Sequence, residues 1–371
     1  MIIGVPKEIK NNEFRVGITP AGVLALKKAN HEILIEKNAG IGSGISDEAY
    51  VNAGAKIVES AAEIYQNAGL IVKVKEPVEE EYNLLKPGSA IFTYLHLAPD
   101  KKLTQILLEK EITGIAYETV QLQSGYLPLL APMSEVAGRM SVQIGANLLQ
   151  KNNGGLGTLL GGVPGVPGVN VVIVGGGIVG ANAARMAAGL GAHVVVLDIR
   201  KQRLNYIDET FAGRVSTMYS NEYNLSKVLK RADLVISTVL IPGGRAPKVI
   251  TEEMVKSMKP GSVIVDVAID QGGSVETIPH ATTHKDPVIV KHGVLHYAVA
   301  NIPGAVPKTA TYALSGMTLP YILKMADMGI KEAMMKDYAL LLGLNTYKGC
   351  ITCHGVAEAQ GLEYIDPRII L

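Results

Sequence analysis

Arg15, Lys75, His96 and Asp270 combine two cations, an imidazole and a carboxylate in a chain of 371 residues, the last three just beyond short apolar runs and Arg15 in the loop after one. An arginine can fork onto a carboxylate through two parallel N–H bonds. A lysine can polarise a carbonyl, and an imidazole gives and takes protons near neutral pH. Beside a nicotinamide such groups would serve hydride transfer, which needs a substrate C–H held over the ring and a base for the proton on oxygen or nitrogen. Taken singly, each of these residues is equally well explained as a solvated loop residue or a cap on backbone groups.

A second constellation would supply the nicotinamide. Gly175, Gly177 and Gly180 stand at G-x-G-x-x-G spacing between a β-branched run over 170–174 and a small-residue helical pattern running to Gly191. Gly175 permits a sharp turn out of the strand, Gly177 leaves room for a pyrophosphate, and Gly180 lets helix and strand pack closely. The helix start offers unpaired N–H groups and the positive end of its dipole. A second run, 193–197, ends on Asp198, which can accept from both ribose hydroxyls and repels a 2′-phosphate. Strand, glycines, helix, strand and acid in this order point to a dinucleotide. Asp198 favours NAD, whereas Arg200, Lys201 and Arg203 just behind it would suit NADP.

The elements that must position these groups alternate along the chain. Strands are predicted over 2–5, 32–36, 70–74, 90–95 and 112–117, with helices over 20–30, 47–53, 60–67 and 99–110 and a loop over 40–44. Such alternation is that of an α/β segment with a parallel sheet. Pro128 and Pro132 bracket a boundary, and from Ser134 a helix carries Val136, Met140, Ile144 and Leu148 as an apolar stripe. After a Gly/Pro-rich loop over 154–168, strands at 170–174, 193–197, 214–218, 233–239, 262–268 and 294–299 make six, the number in a Rossmann sheet. The chain then turns helical, over 319–328 and 331–342. In open α/β sheets ligands bind beyond the carboxyl ends of strands, where strand order reverses. Lys75, His96 and Asp270 follow predicted strands at that end, and Arg15 lies in the loop after 2–5.

Composition removes several classes. The chain is 48% apolar and 19% charged with a formal net charge of +1, which gives no reason to expect nucleic acid or an anionic membrane as partner. Tryptophan is absent and there are three phenylalanines, so base-stacking platforms are not expected. No apolar run approaches the roughly 20 residues that span a bilayer. The first residues, MIIGVPKEIKNNEFR, lack a signal peptide's layout, so a cytoplasmic protein is expected. Cys350, Cys353 and His354 match the C-x-x-C-H pattern of haem attachment and a thiol-redox C-x-x-C. Neither is adopted, because haem attachment requires export and a redox pair normally opens a helix beside a strand. His280 with His284 and His292 with His296 have helical metal-ligand spacing, but Pro279, Pro287 and Gly293 argue against helices there, and no metal site is assigned.

Beyond these local patterns, MIIGVPKEIKNNEFRVGITP, VKVKEP, TYLHLA, PMSEVAGRMSVQIGA, GGVPGV, VLIPGGRAP, VDVAIDQGG and HYAVANIPGAVPKT resemble the NAD-dependent L-alanine dehydrogenase family over nearly the whole chain. The tail beyond about Ala326 matches least, and Cys350, Cys353 and His354 have no counterpart. The resemblance implies two Rossmann-like α/β domains. A doubly wound parallel-sheet NAD domain, 131–306, is inserted into a discontinuous substrate domain formed by 1–130 and the returning helical part 307–371. It further implies that Arg15 and Lys75 bind pyruvate or alanine and that His96 and Asp270 are the acid/base groups. Besides the glycines and Asp198, NAD contacts are implied at Ser134, Ile178, Val179, Arg203, Ser220, Val239 and Leu240. Further contacts are implied at Val267, Ala268, Ile269 and Asp270, and at Val299, Ala300, Asn301 and Ile302. A homohexamer is expected. The implied reaction is reversible oxidative deamination of L-alanine to pyruvate and ammonia with NAD. The competing readings are the NAD-binding component of a transhydrogenase-like system and a non-catalytic NAD-sensing protein.

Overall fold

The computed structural model describes residues 1–239 and 246–371, in two compact units, Met1–Met133 with Gly304–Leu371 and Ser134–Pro303. In chain order the first unit opens with strands β1 (Ile2–Val5), β2 (Glu32–Glu36), β3 (Lys56–Val58), β4 (Leu70–Val72), β5 (Ala90–Thr93) and β6 (Thr113–Ala116). The second unit holds β7 (Asn170–Val174), β8 (His193–Asp198), β9 (Val215–Tyr219), β10 (Leu234–Ser237), β11 (Val263–Asp266), β12 (Val288–Lys291) and β13 (Val294–Tyr297). The chain then returns to the first unit with β14 (Leu344–Tyr347) and β15 (Cys350–Ile351).

The two sheets repeat one plan. In the second unit the order is β12-β13-β11-β10-β7-β8-β9, all parallel except β12, which pairs antiparallel with β13. In the first it is β15-β14-β6-β5-β4-β1-β2-β3, parallel from β6 to β3 and antiparallel at β14 and β15. Setting the antiparallel edges aside, both run 3-2-1-4-5-6, the doubly wound Rossmann order, with the switch between β1 and β4 and between β7 and β10. Successive side chains of a strand face opposite ways, so each sheet feeds two apolar cores. Val171 and Ile173 enter one core of the second unit, Val172 and Val174 the other. Parallel strands covered on both faces read as continuous apolar runs, which is why their positions are legible in the sequence.

Strand ends and edges differ from expectation. The strand expected over 70–74 stops at Val72, that over 90–95 at Thr93, and that over 262–268 at Asp266. Strand β3 and the antiparallel edges β12, β14 and β15 carry no expectation, being two to four residues long without clear alternation. The helix expected over 319–328 begins at Pro307 and runs to Met328, through Pro320, because Ala310, Leu314, Ile322 and Met325 form one buried stripe on the first unit. That expected over 331–342 is two helices, Ile330–Lys336 and Tyr338–Leu342, divided at Asp337, whose carboxylate caps the second.

Cys350 lies in β15 and Cys353 precedes the helix His354–Gln360, so these thiols do stand between a strand and a helix start, contrary to expectation. Both are free, and burial pushes the Cys353 thiol up, away from the thiolate a redox pair needs.

Candidate active site

Six parallel strands of the second unit end at one edge, which collects residues more than a hundred positions apart. Gly175 turns out of β7 with φ 105°, in the left-handed region, and its N–H donates to Leu197 O at 2.7 Å. A Cβ on Gly180 would lie 1.9 Å from Gly175 O, whereas one on Gly177 would meet nothing within 4 Å. The turn is therefore tight against the sheet and open above the helix start, a cradle suited to a pyrophosphate. Ile178 and Val179, half-buried, form the first turn of the helix Ile178–Gly189.

Asp198 ends β8, is 5% exposed, and is used twice by the backbone. Its Oδ2 accepts from Gly176 N–H at 2.7 Å and its Oδ1 from Arg200 N–H at 2.8 Å, with Arg200 Nε at 3.3 Å. The carboxylate thus ties the glycine turn to the end of β8. Arg203 is half-buried beside Gly176, and Ser220 N–H donates to Asp198 O at 3.1 Å. Val239 packs partly buried after β10; Leu240 lies outside the described residues. Ser134 is half-buried in the helix Ala131–Leu148.

Asp270 sits in a short 3-10 turn, Val267–Gln271, rather than directly on a strand end. Buried Asp266 anchors that turn, accepting from Ala268 N–H at 3.0 Å, Ser274 N–H at 2.7 Å and Ser274 Oγ–H at 3.1 Å. Ala268 and Ile269 are buried by it, and Asp270 is turned outward. Its carboxylate accepts from Asn301 N–H at 3.2 Å, joining 267–270 to the segment Val299, Ala300, Asn301 and Ile302. Asn301 holds φ 58°.

The first unit collects its polar groups the same way. Thr19 N–H and Val16 N–H donate to Ser315 Oγ and Thr311 Oγ1, each at 3.1 Å, so the helix Pro307–Met328 fixes the long loop after β1 that carries Arg15. Arg15 is 2% exposed. Its Nε and Nη2 fork onto Glu13 at 2.7 and 2.5 Å, and Nη1 lies 3.0 Å from Met133 Sδ. The fork expected for a substrate is thus taken by Glu13 on one edge. Lys75 stands three residues beyond β4, half-buried, and its ammonium has no hydrogen-bond or ion-pair partner among the described residues.

His96 stands three residues beyond β5 with φ 47°, which a non-glycine residue keeps only where its surroundings hold it. They do so here. Its N–H donates to Glu118 Oε1 at 2.7 Å, and its ring stacks on Tyr94 at 5.8 Å between centroids and 8° between planes. Nδ1 lies 3.9 Å from Glu118, too far for a hydrogen bond. The ring is 45% exposed. Tyr94 donates to Leu129 O at 2.6 Å, and burial raises its phenol well above the ordinary value.

Sequence reasoning missed Glu8, Glu13 and Glu118, in contact with Lys75, Arg15 and His96, and Lys73 and Glu81, which pair with each other beside Glu8. One signal was present. Lys73 interrupts the apolar run LIVKV, and a charge inside a buried strand must be paired. Nothing local marks the glutamates. Of the four histidines spaced like ligands, His292 pairs with Glu252 and His296 is buried in β13. Among the described residues no group of three His, Cys, Asp or Glu side chains could hold a metal.

A 3-2-1-4-5-6 sheet with an open glycine turn at its switch point and an acid closing the next strand defines a dinucleotide-binding protein of the Rossmann class. The chain belongs to the alanine dehydrogenase/PNT family, matching its N-terminal domain over residues 4–137 and its C-terminal domain over 141–354. It is 60% identical to an alanine dehydrogenase of Methanococcus maripaludis over 98% of both chains. Among solved structures it is similar to an L-alanine dehydrogenase, with TM-score 0.94, 50% identity, and coverage of 97% of this chain and 99% of that one. A transhydrogenase of Sinorhizobium meliloti superposes with TM-score 0.80 at 24% identity, covering 95% and 99%, a likeness of fold alone.

Proposed function

We propose that this protein catalyses the reversible oxidative deamination of L-alanine with NAD and water to pyruvate, ammonia and NADH. The observation that carries the reading is 60% identity to an alanine dehydrogenase along essentially the whole chain. NAD, when bound, accepts the hydride from the alanine Cα. The rest falls to side chains. Arg15 takes the substrate carboxylate, its guanidinium oriented by Glu13. Lys75, with no ion-pair partner among the described residues, polarises the reacting oxygen or nitrogen.

Loss of hydride leaves iminopyruvate, to which water adds. The resulting carbinolamine collapses to pyruvate and ammonia, with protons leaving the oxygen and reaching the nitrogen. His96 moves them, its ring half-exposed and stacked on Tyr94, and Asp270 assists. Nucleotide contacts fall to the glycine turn, Asp198 and the segments at 267–270 and 299–302. Asp198 makes NAD the cofactor rather than NADP.

The resemblance also supports a cytoplasmic homohexamer, and sedimentation of the purified protein tests for six copies of a 39.3 kDa chain. Among the described residues no helix is long and apolar enough to cross a membrane, as a transhydrogenase component working with membrane helices would lead one to seek. A non-catalytic NAD sensor has no use for Arg15, Lys75, His96 and Asp270 together. NADH formation by the purified protein with NAD and a panel of L-amino acids decides among these readings. Turnover with alanine is expected; none with any amino acid would overturn the proposal.

A further inference from the structure

A lysine wholly removed from water is held between two carboxylates at the active-site end of the first sheet. Lys73 Nζ lies 2.7 Å from Glu81 Oε1 and 3.2 Å from Glu8 Oε2, and the three side chains are exposed by 3% or less. Burial pushes Glu8 up toward its neutral form, against the pull of Lys73. Burying three charges is costly and adds little stability over apolar packing. The remaining bonds of the cluster indicate what it does instead.

Strand β4 pairs with β1 only at Leu70 and Ile71. Beyond that the side chain of Glu8 replaces the strand. Its Oε1 accepts from Val74 N–H at 2.6 Å and from Lys75 N–H at 3.3 Å. On the far side of Lys75, Glu81 Oε2 accepts from Val78 N–H at 3.0 Å. Two hydroxyls close the frame: Tyr117 donates to Lys73 O and Thr93 to Lys75 O, each at 2.9 Å. A neutral glutamic acid would be a weaker acceptor for two amides at once. Lys73 opposes the effect of burial on Glu8, and Glu81 holds Lys73.

We infer that the Glu8–Lys73–Glu81 cluster positions Lys75, with Glu8 fixing the Lys75 backbone so that its ammonium is presented to the substrate's reacting group. This rests on the reading of Lys75 as a substrate ligand. Glu8 is then a positioning residue, acting through Lys75 and on substrate rather than on nucleotide.

The experiment is a double-mutant cycle on pyruvate binding to the enzyme–NADH complex, followed by NADH fluorescence. The variants are Glu8→Gln, Lys75→Met and the two combined. Glutamine keeps one oxygen for the amides but sets an NH2 group against Lys73. Glu8→Gln is expected to weaken pyruvate binding roughly tenfold in the native background and less than twofold beside Lys75→Met, with NADH affinity unchanged in all. Equal weakening in both backgrounds, or NADH affinity falling in step, would overturn the inference. Lys75→Met alone leaving pyruvate binding unaltered would instead overturn the reading of Lys75. Should Glu8→Gln not fold, Glu8→Asp keeps the charge and shortens the reach by one methylene. The same cycle then applies: weakening confined to the Lys75 background is expected, and none at all overturns the inference.

Discussion

The two sheets share a strand order, and their switch points are built in opposite ways. In the second unit three glycines join β7 to its helix, and the space above Gly177 is open. In the first unit fourteen residues, 6–19, separate β1 from the helix Pro20–Lys28, and the Glu8 side chain crosses to the amides of Val74 and Lys75. One crevice presents backbone N–H groups and a helix dipole, suited to a phosphate diester. The other is crossed by carboxylates that hold backbone in place, with Arg15, Lys75 and His96 proposed as its ligand groups. Strand order decides where a ligand sits; the length and residue size of the first connection decide whether backbone or side chains receive it.

That division is broken most severely at His96. His96→Ala should lower kcat by roughly 10²–10⁴-fold while NADH binds as before, since the residue belongs to the first unit. A kcat hardly changed would make His96 a packing residue and Asp270 the leading acid/base group.

The glycine turn sharpens the contrast. Gly180→Ala forces a Cβ to within 1.9 Å of Gly175 O, so both NADH affinity and melting temperature should fall, the latter by an overpacking cost of about 1–3 kcal/mol. Gly177→Ala has room in the free protein and should weaken NADH binding without lowering the melting temperature. If Gly177→Ala binds NADH normally, the pyrophosphate does not lie over this turn.

Asp198→Ala carries a smaller, mixed effect. Removing the carboxylate should raise the NADP-to-NAD ratio of kcat/KM on the order of tenfold, through lost repulsion. Because Gly176 N–H loses its acceptor as well, NAD turnover should drop in absolute terms. An unchanged ratio would assign cofactor choice elsewhere.

These contrasts also mark what could be read from the sequence. The glycine turn and Asp198 are legible because their roles depend on local spacing within one β-α-β unit. Lys75, His96 and Asp270 were singled out through strand ends set two residues too late, since the apolar runs continue past the last ladder bond, as Val74 and Leu95 do. Arg15 was singled out, but not that Glu13 takes one edge of its fork, because an acid two residues away looks like any other in a loop. The glutamates around Lys73 come from sequence distances of 8 and about 65, and only the folded sheet brings them together. Antiparallel edges such as β12 and β14 escape because tertiary pairing, not pattern, makes them strands.

The smallest expected effect separates the units by acid. His296 in β13 is fully buried; its Nδ1–H donates to Val294 O at 2.9 Å and its Nε2 shares a 2.8 Å hydrogen bond with the Thr277 hydroxyl. Burial depresses its pKa, with His292 and Lys291 adding to the effect. A histidine depressed on folding binds its proton more readily unfolded, so its contribution is complete above the unfolded value of about 6.5 and is lost as pH falls below it. One such group changes stability by at most about 1.4 kcal/mol per pH unit. Buried Glu8 in the first unit has the opposite sign, its raised pKa making protonation easier folded than unfolded. Amide exchange between pH 7 and 5.5 should therefore show protection falling in β11 and β13 and not in β1 and β4. In His296→Gln, which keeps a polar end near Thr277 and does not titrate, the acid-side loss should flatten. A decline of the same steepness in that variant would mean that another group of the second unit governs its acid stability.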